Sequence, residues 1–213
     1  MTLPRTQCHI GPMSMLRTIC VYCGSGPGSN PAFVKAAQDF GRILAENKIR
    51  LVYGGGSVGL MGELATSVLD HGGTVTGIIP DFLTGREQVL QRAQEVVVTR
   101  DMHERKRIMF ERSDGFVALP GGIGTLEELV EQLTWAQLGR HKKPILVANI
   151  DGFWDPLCAL IDHMQNLEFI RPGLTVKLLI AKKVEDILPR MMDALRPVPE
   201  PEKSMKVAAV ERM

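Results

Sequence analysis

The chain has 213 residues, of which 45% are hydrophobic and 23% charged, and its 25 basic and 24 acidic residues leave a net charge of +1. This length suits a single α/β domain, and the balanced charge argues against a nucleic-acid or membrane surface. No apolar run approaches the roughly 20 residues of a membrane helix, and the start MTLPRTQCHIGPMSM lacks the apolar core of a signal peptide, so we expect a cytoplasmic protein.

Short β-branched runs alternate with longer helical patterns, which is typical of a parallel sheet with crossover helices. The predicted strands are Thr18–Cys23, Arg50–Tyr53, Thr74–Ile79, Glu95–Thr99, Gly115–Leu119 and Ile145–Ile150. The predicted helices are Pro31–Asn47, Gly59–His71, Met102–Arg112, Thr125–Leu138, Pro156–Leu167 and Val184–Leu195. Asn30 and Asp101 are helix start signals. We therefore predict one Rossmann-like, doubly wound α/β domain over residues 16–196, with a flexible head at 1–15 and a flexible tail at 197–213.

The first predicted strand carries Cys20 and Cys23, whose C-x-x-C spacing also occurs in redox and zinc sites. Residues three apart on a strand point to opposite faces, so these two thiols cannot jointly bind a metal. We expect them, together with Cys8 and Cys158, to be reduced and buried, and we expect no metal site.

Three glycine-rich loops follow predicted strands: CGSGPGSNP, YGGGSVGLMG and LPGGIGT. At the carboxyl edge of a parallel sheet such loops lead into helix N-termini, where free backbone N–H groups favour anions. One such loop is explained by a tight turn alone, but three together favour a phosphate site. The candidate phosphate-loop residues are Gly24, Ser25, Gly54, Gly55 and Gly56.

The second loop also satisfies the dinucleotide pattern G-x-G-x-x-G through Gly54, Gly56 and Gly59. It follows the second strand rather than the first, and the next acidic residue past the following strand, Asp81, comes later than the usual spacing of about 20 residues. None of the loops ends in the Gly-Lys-Ser/Thr of a Walker A motif. The sequence therefore favours a mononucleotide.

The predicted helix MHERKRIMFER places Met102, Arg105, Met109 and Arg112 on one stripe. Arg105 thus shares an apolar, inward face, where a guanidinium needs a partner such as a phosphate or a carboxylate. Lys106 flanks the same face. The alternative for both residues is a structural ion pair with an internal acid.

In LPGGIGTLEEL, Thr125 is a natural N-cap, and Glu128 three residues later completes a capping box. Glu127 and Glu128 also stand at the helix mouth beside the glycine loop, where a carboxylate could stabilise an oxocarbenium-like sugar or orient a water. The spacing alone leaves capping and catalysis equally open.

These motifs resemble the LOG ("lonely guy") family of phosphoribohydrolases, whose members are often described as lysine decarboxylases. The resemblance runs from Ile19 to Leu195, and its most specific part is PGGIGTLEE, followed by LTWAQLG. MHERK, CGSGPG and YGGGSVGLMG resemble the family's other signatures.

The resemblance implies cleavage of cytokinin riboside monophosphates, and commonly AMP, to free base and ribose 5-phosphate, without metal or organic cofactor. It implies a homodimer or larger assembly with the pocket near the subunit contact. By motif, Arg105 and Glu128 are the catalytic pair. The expected substrate-binding residues are Glu87, Lys106, Gly121, Gly122, Ile123, Gly124, Thr125, Leu126, Glu127 and Thr134. The chain departs from the family at Arg86, where a glutamate is expected, and at Ile123, where a tyrosine is frequent.

Pyridoxal chemistry requires a lysine Schiff base and a domain that anchors the cofactor, and the chain shows neither. Two other classes stay open. A carrier of a phosphorylated cofactor such as molybdopterin could use the same loops without needing Glu128 beside Arg105. A nicotinamide-dependent enzyme would use the loop from Gly54 to Gly59.

Overall fold

The computed structural model describes residues 16–85, 90, 92–170 and 178–196. The predicted head and tail lie outside these residues. The strands are β1 Thr18–Tyr22, β2 Arg50–Tyr53, β3 Val75–Pro80, β4 Glu95–Thr99, β5 Gly115–Ala118, β6 Ile145–Ala148 and β7 Leu178–Ala181. The helices are α1 Pro31–Glu46, α2 Gly59–Asp70, α3 Asp81–Thr84, α4 Met102–Glu111, α5 Ile123–Gln137, α6 Asp155–Asn166 and α7 Ile187–Leu195. Short 3₁₀ turns at Ile150–Gly152 and Val184–Asp186 precede α6 and α7.

The seven strands of the described residues form one parallel sheet in the order β4-β3-β2-β1-β5-β6-β7. The chain builds outward from β1 to β4 and then returns to pair β5 with the other side of β1. The order therefore reverses between β1 and β5, and in such sheets the crevice beyond the carboxyl ends of these two strands is the usual ligand site. The prediction of a doubly wound, Rossmann-like fold is confirmed.

Two apolar layers cover the sheet. On one face, buried residues of α1, α2 and α7, such as Phe40, Leu64 and Met191, pack together with Leu51 and Val117. The other layer buries Met109 of α4, Leu129 of α5 and Trp154 against Phe116 and Val147. The sheet is thus covered on both faces, as its nearly continuous apolar strands require.

The two cysteines of β1 lie in different layers, Cys23 with the α1 side and Cys20 with the α4 side. Both are free and buried, and burial raises the pKa of each thiol far above its ordinary value. Cys158 is free but only half-buried, because α6 lies at the periphery, so its predicted burial is wrong. Within the described residues no group of three or more His, Cys, Asp or Glu side chains could hold a metal ion.

Polar caps begin two of the helices that lead away from the carboxyl edge. The Asn30 side chain accepts a bond of 2.9 Å from the Ala32 N–H, and Asp101 accepts one of 2.8 Å from the Glu104 N–H. Both predicted start signals are confirmed. No helix in the described part of the chain is long and apolar enough to cross a membrane.

Candidate active site

The glycine loops after β1 and β5 meet at the point where the strand order reverses. The Gly24 N–H donates to the Pro120 carbonyl at 3.1 Å, and the Met61 N–H at the start of α2 donates to the Gly24 carbonyl at 3.3 Å. At Gly59, whose φ is +59°, a Cβ would collide with the Ser25 carbonyl. Glycine is needed there for both the close approach and the positive φ.

A cleft of about 320 Å³ opens beside these loops. Its walls are the loop from Gly24 to Gly28, residues Pro120, Gly121 and Gly122, and the side chains of Phe33, Leu60 and Phe153. Four predicted residues, Gly24, Ser25, Gly121 and Gly122, therefore lie together. The described lining does not include Gly54, Gly55 or Gly56, nor the predicted catalytic pair.

Arg105 points inward from α4, with only 7% of its surface exposed. Its Nη2 lies 3.7 Å from Glu128 Oε1 and 3.5 Å from the Gly54 carbonyl oxygen, and its Nη1 lies 3.7 Å from Met102 Sδ. Its buried Nε has no hydrogen-bond partner among the described residues. The guanidinium is thus charge-paired but loosely bonded, so its donors can turn to a ligand at little cost.

The second glycine loop packs against Arg105. A Cβ at Gly54 would collide with Arg105 Nη2, and a Cβ at Gly55, whose φ is +85°, would lie 3.2 Å from Ile79 Cβ. Gly56 is buried. The backbone of this loop, which was predicted to approach a phosphate closely, approaches the Arg105 guanidinium in the structure. The loop's role in phosphate binding stays a prediction.

The capping box predicted at Thr125 and Glu128 is wrong. Helix α5 begins two residues earlier, at Ile123, with Gly122 as N-cap, and no described side chain caps it. The extended backbone of Gly122, with φ −89° and ψ −158°, lets the chain enter the helix early. Thr125 is buried in the first turn, where a Cβ at Gly121 would collide with its hydroxyl.

Glu128 therefore lies in the second turn of α5, beyond the reach of the N-cap. Its side chain is only 12% exposed and faces Arg105 on α4. Of the two roles that its spacing allowed, the capping role is removed. The predicted catalytic pair is thus brought together across the α4–α5 contact.

Lys106, the neighbour of Arg105, is held by two carboxylates of α5. Its Nζ lies 2.6 Å from Glu127 Oε1 and 2.9 Å from Glu131 Oε1. Burial works to lower the pKa of Lys106, but the two carboxylates outweigh burial and raise that pKa above its ordinary value. Lys106 and Arg105 thus both have the internal acids that the ion-pair alternative requires, and the substrate-binding role of Lys106 stays a prediction. Glu131 is not among the residues predicted from the sequence, although its i,i+4 spacing from Glu127 places both on one stripe of the helix.

The other predicted residues spread along α5. Ile123 and Gly124 are exposed at its start, and Leu126 packs against the core beside α4. Thr134 is exposed two turns further on, and its hydroxyl donates to the Val130 carbonyl at 2.8 Å. Glu87 lies outside the described residues.

Arg112 does not share the inward stripe of α4. The helix ends at Glu111, and Arg112 as its C-cap is exposed and pairs with Glu95 of β4 at 2.7 Å. Together these features define a Rossmann-like α/β protein with glycine loops and a buried Arg–Glu pair at its carboxyl edge.

Comparison with known proteins carries the assignment further. The sequence model of the family described as "Possible lysine decarboxylase" matches residues 61–191. The probable cytokinin riboside 5'-monophosphate phosphoribohydrolase LOGL9 of Oryza sativa subsp. japonica is 50% identical over 160 residues, which cover 75% of this chain and 70% of the relative. The phosphoribohydrolase LOG3 of Arabidopsis thaliana is 44% identical over 178 residues, or 84% of this chain and 83% of the relative. The cytokinin riboside 5'-monophosphate phosphoribohydrolase of Rhodococcoides fascians is 42% identical over 170 residues, which cover 79% of this chain and 86% of the relative. The chain belongs to the LOG family.

Solved structures show the same fold at lower identity. The molybdenum cofactor binding protein from Rippkaea orientalis matches with a TM-score of 0.65 and 24% identity, over 86% of this chain and 99% of that one. The molybdenum cofactor carrier protein of Chlamydomonas reinhardtii matches with a TM-score of 0.63 and 22% identity, over 85% and 99%. At such identities the likeness concerns the fold alone.

Proposed function

We propose that this chain hydrolyses the N-glycosidic bond of nucleoside 5′-monophosphates, cytokinin ribosides and AMP among them, to free base and ribose 5-phosphate. The names of relatives at 42–50% identity support this activity. The observation that carries it in the structure is the largely buried Arg105–Glu128 pair, 3.7 Å apart, which packs against the second glycine loop at Gly54. A carboxylate and a guanidinium in a water-poor site are suited to charge that develops on a sugar.

In the proposed reaction the bond between C1′ and the base nitrogen breaks, and its electron pair leaves with the base. The ribose becomes oxocarbenium-like, and the Glu128 carboxylate stabilises that charge or guides the attacking water. The water oxygen bonds to C1′ and loses a proton, and the departing base, which holds the electron pair, takes up one proton, so that the two products are neutralised by the elements of one water. Arg105 holds and polarises the substrate, while backbone N–H groups of the glycine loops and the N-terminus of α5 anchor the phosphate.

The alternatives fit the described site less well. A Schiff-base enzyme needs a lysine that readily becomes neutral, whereas two carboxylates raise the pKa of Lys106. In the dinucleotide pattern the pyrophosphate approaches the backbone at the second glycine, Gly56, but Gly56 is buried and Arg105 packs against Gly54 beside it. The cofactor carriers share the fold at 22–24% identity, which supports no shared ligand.

Product chromatography tests the proposal directly. Purified protein is incubated with AMP or with isopentenyladenosine monophosphate, with and without an excess of chelator. We expect free base and ribose 5-phosphate in equal amounts, and the same yield with chelator, because the proposed site uses no metal. Absence of free base from both substrates would refute the function.

The 5′-phosphate should decide which substrates are used. Binding energy from a remote phosphate can hold the sugar for reaction, so adenosine should have a kcat/KM at least about a hundredfold below that of AMP. Initial rates with the two substrates measure this ratio. Equal kcat/KM values for adenosine and AMP would show that phosphate binding by the glycine loops does not contribute to the reaction.

We also propose a homodimer or larger assembly formed through the exposed side of α5. Val130 and Leu138 are exposed there, Leu138 at 77%, and Thr134, an expected substrate contact, lies between them. Two exposed apolar side chains on the side of α5 that carries Thr134 fit a subunit contact near the pocket. Sedimentation equilibrium should give a mass at least twice that of one chain, and Leu138→Asp should lower the measured mass toward that of a single chain. A wild-type mass of one chain would contradict the proposal.

The cytoplasmic location stays a prediction from the sequence.

A further inference from the structure

Lys106 lies between two carboxylates that differ in their access to solvent. Glu127 and Glu131 are one turn apart on α5, and both reach the Lys106 ammonium, whose side chain is 11% exposed. The Glu127 side chain is 50% exposed, but that of Glu131 is 20% exposed. One ion pair is therefore open to water and the other is largely enclosed.

This difference sets how easily each contact can be exchanged. An exposed ion pair contributes little to stability, because water and salt compete with it. A pair withdrawn from water is costly to break, because it leaves a charge without compensation. The second oxygen of Glu131, Oε2, is buried and has no hydrogen-bond partner among the described residues, so the contact of Oε1 with Lys106 is the main compensation for the charge of Glu131. Its carboxylate thus depends on Lys106, whereas Glu127 can turn away.

We propose that Glu131 is a positioning residue, which fixes the Lys106 ammonium so that Glu127 can exchange its bond to Lys106 for a bond from a ribose hydroxyl of the nucleotide. The inference rests on the proposed function of the same site. Without Glu131, Glu127 becomes the sole described carboxylate at Lys106 and is retained by it. The nucleotide then has to compete with an internal ion pair, so its binding weakens while the bond-breaking pair of Arg105 and Glu128 is untouched.

Glu131→Gln tests this inference, because glutamine keeps the shape of the side chain and removes its charge. With AMP as substrate we expect KM to rise about tenfold and kcat to change less than about twofold, which is the pattern of a lost binding contact. Isothermal titration with ribose 5-phosphate, the product, should show a weaker affinity by a similar factor. Glu131→Asp, which retains the charge on a shorter stem, should recover part of the loss.

Glu111→Gln is the matched control. It removes an acid from an exposed ion pair on α4, Arg107–Glu111 at 3.3 Å, and should change neither KM nor kcat. A normal KM in Glu131→Gln, with only a lower melting temperature, would overturn the inference, as would a fall in kcat at unchanged KM. If Glu131→Gln does not fold, Glu131→Ala, which also removes the charge, replaces it, and a normal KM in that variant overturns the inference instead. Failure of the proposed function is a separate result, since it shows in the wild type as no release of base from AMP.

Discussion

Glu128→Gln should lower kcat on AMP at least about a hundredfold, about 2.7 kcal/mol of transition-state stabilisation, while KM changes far less. The substitution retains the size and hydrogen-bonding capacity of the side chain but removes the charge that faces Arg105 at 3.7 Å. A carboxylate beside an oxocarbenium-like sugar acts mainly in the transition state, so its loss should appear in kcat. Steady-state kinetics with AMP measure both constants.

The control for this variant is Glu46→Gln, which breaks an exposed Arg–carboxylate pair on α1, Arg42–Glu46 at 2.9 Å. We expect it to leave both constants unchanged. Arg105 stays charged and buried in Glu128→Gln, so that variant should also melt at a lower temperature, and the assay is run well below each measured melting temperature. Near-normal turnover in Glu128→Gln would remove Glu128 from the chemistry and make Glu127 the candidate.

The sequence predicted six of the described strands and the main helices to within about two residues at most ends, because periodicity and caps are local signals. Strand β7 and helix α3 were not predicted. Both are four-residue elements. Helix α3 is a single turn, too short to show a helical period. Strand β7 is an apolar run, LLIA, of the same length as the predicted strands β2, β5 and β6, but it lies at the edge of the sheet, where it pairs with β6 and is only partly buried.

Site residues could be predicted from the sequence where their position depends on a single helix. Apolar spacing placed Arg105 on the inner face of α4, and Arg105 is buried. The same spacing placed Arg112 beside it, but the helix ends before Arg112, whose side chain turns to Glu95 instead. A periodic pattern does not show where the backbone leaves the helix.

Contacts between helices could not be predicted from the sequence. Spacing put Glu127 and Glu128 at the mouth of α5, but which side chain meets which residue of α4 depends on how the two helices pack over the sheet. The early start of α5 at Gly122 also changed the role of Thr125 from a cap to a buried residue. Glu131 becomes a candidate site residue only through its contact with Lys106.

Gly54→Ala should abolish most of the activity while the fold is retained. Gly54 is buried at the end of β2, and its carbonyl oxygen lies 3.5 Å from Arg105 Nη2. A Cβ at this position would collide with that guanidinium and lie 3.1 Å from Met61 Sδ. Both are ends of flexible side chains, so the molecule can adjust by moving Arg105 rather than by unfolding. Moving Arg105 shifts it away from Glu128.

A displacement of about 1 Å in a catalytic group can cost about a hundredfold in rate, so we expect kcat of Gly54→Ala to fall by that order. Circular dichroism and the melting temperature should show a folded protein. Gly85→Ala is the matched control, because a Cβ at Gly85 meets no atom of the described residues within 4 Å, and it should retain wild-type kinetics. A crystal structure of Gly54→Ala should show the guanidinium displaced from Glu128. Full activity in Gly54→Ala with Arg105 displaced would show that the Arg105–Glu128 contact is not needed for the reaction.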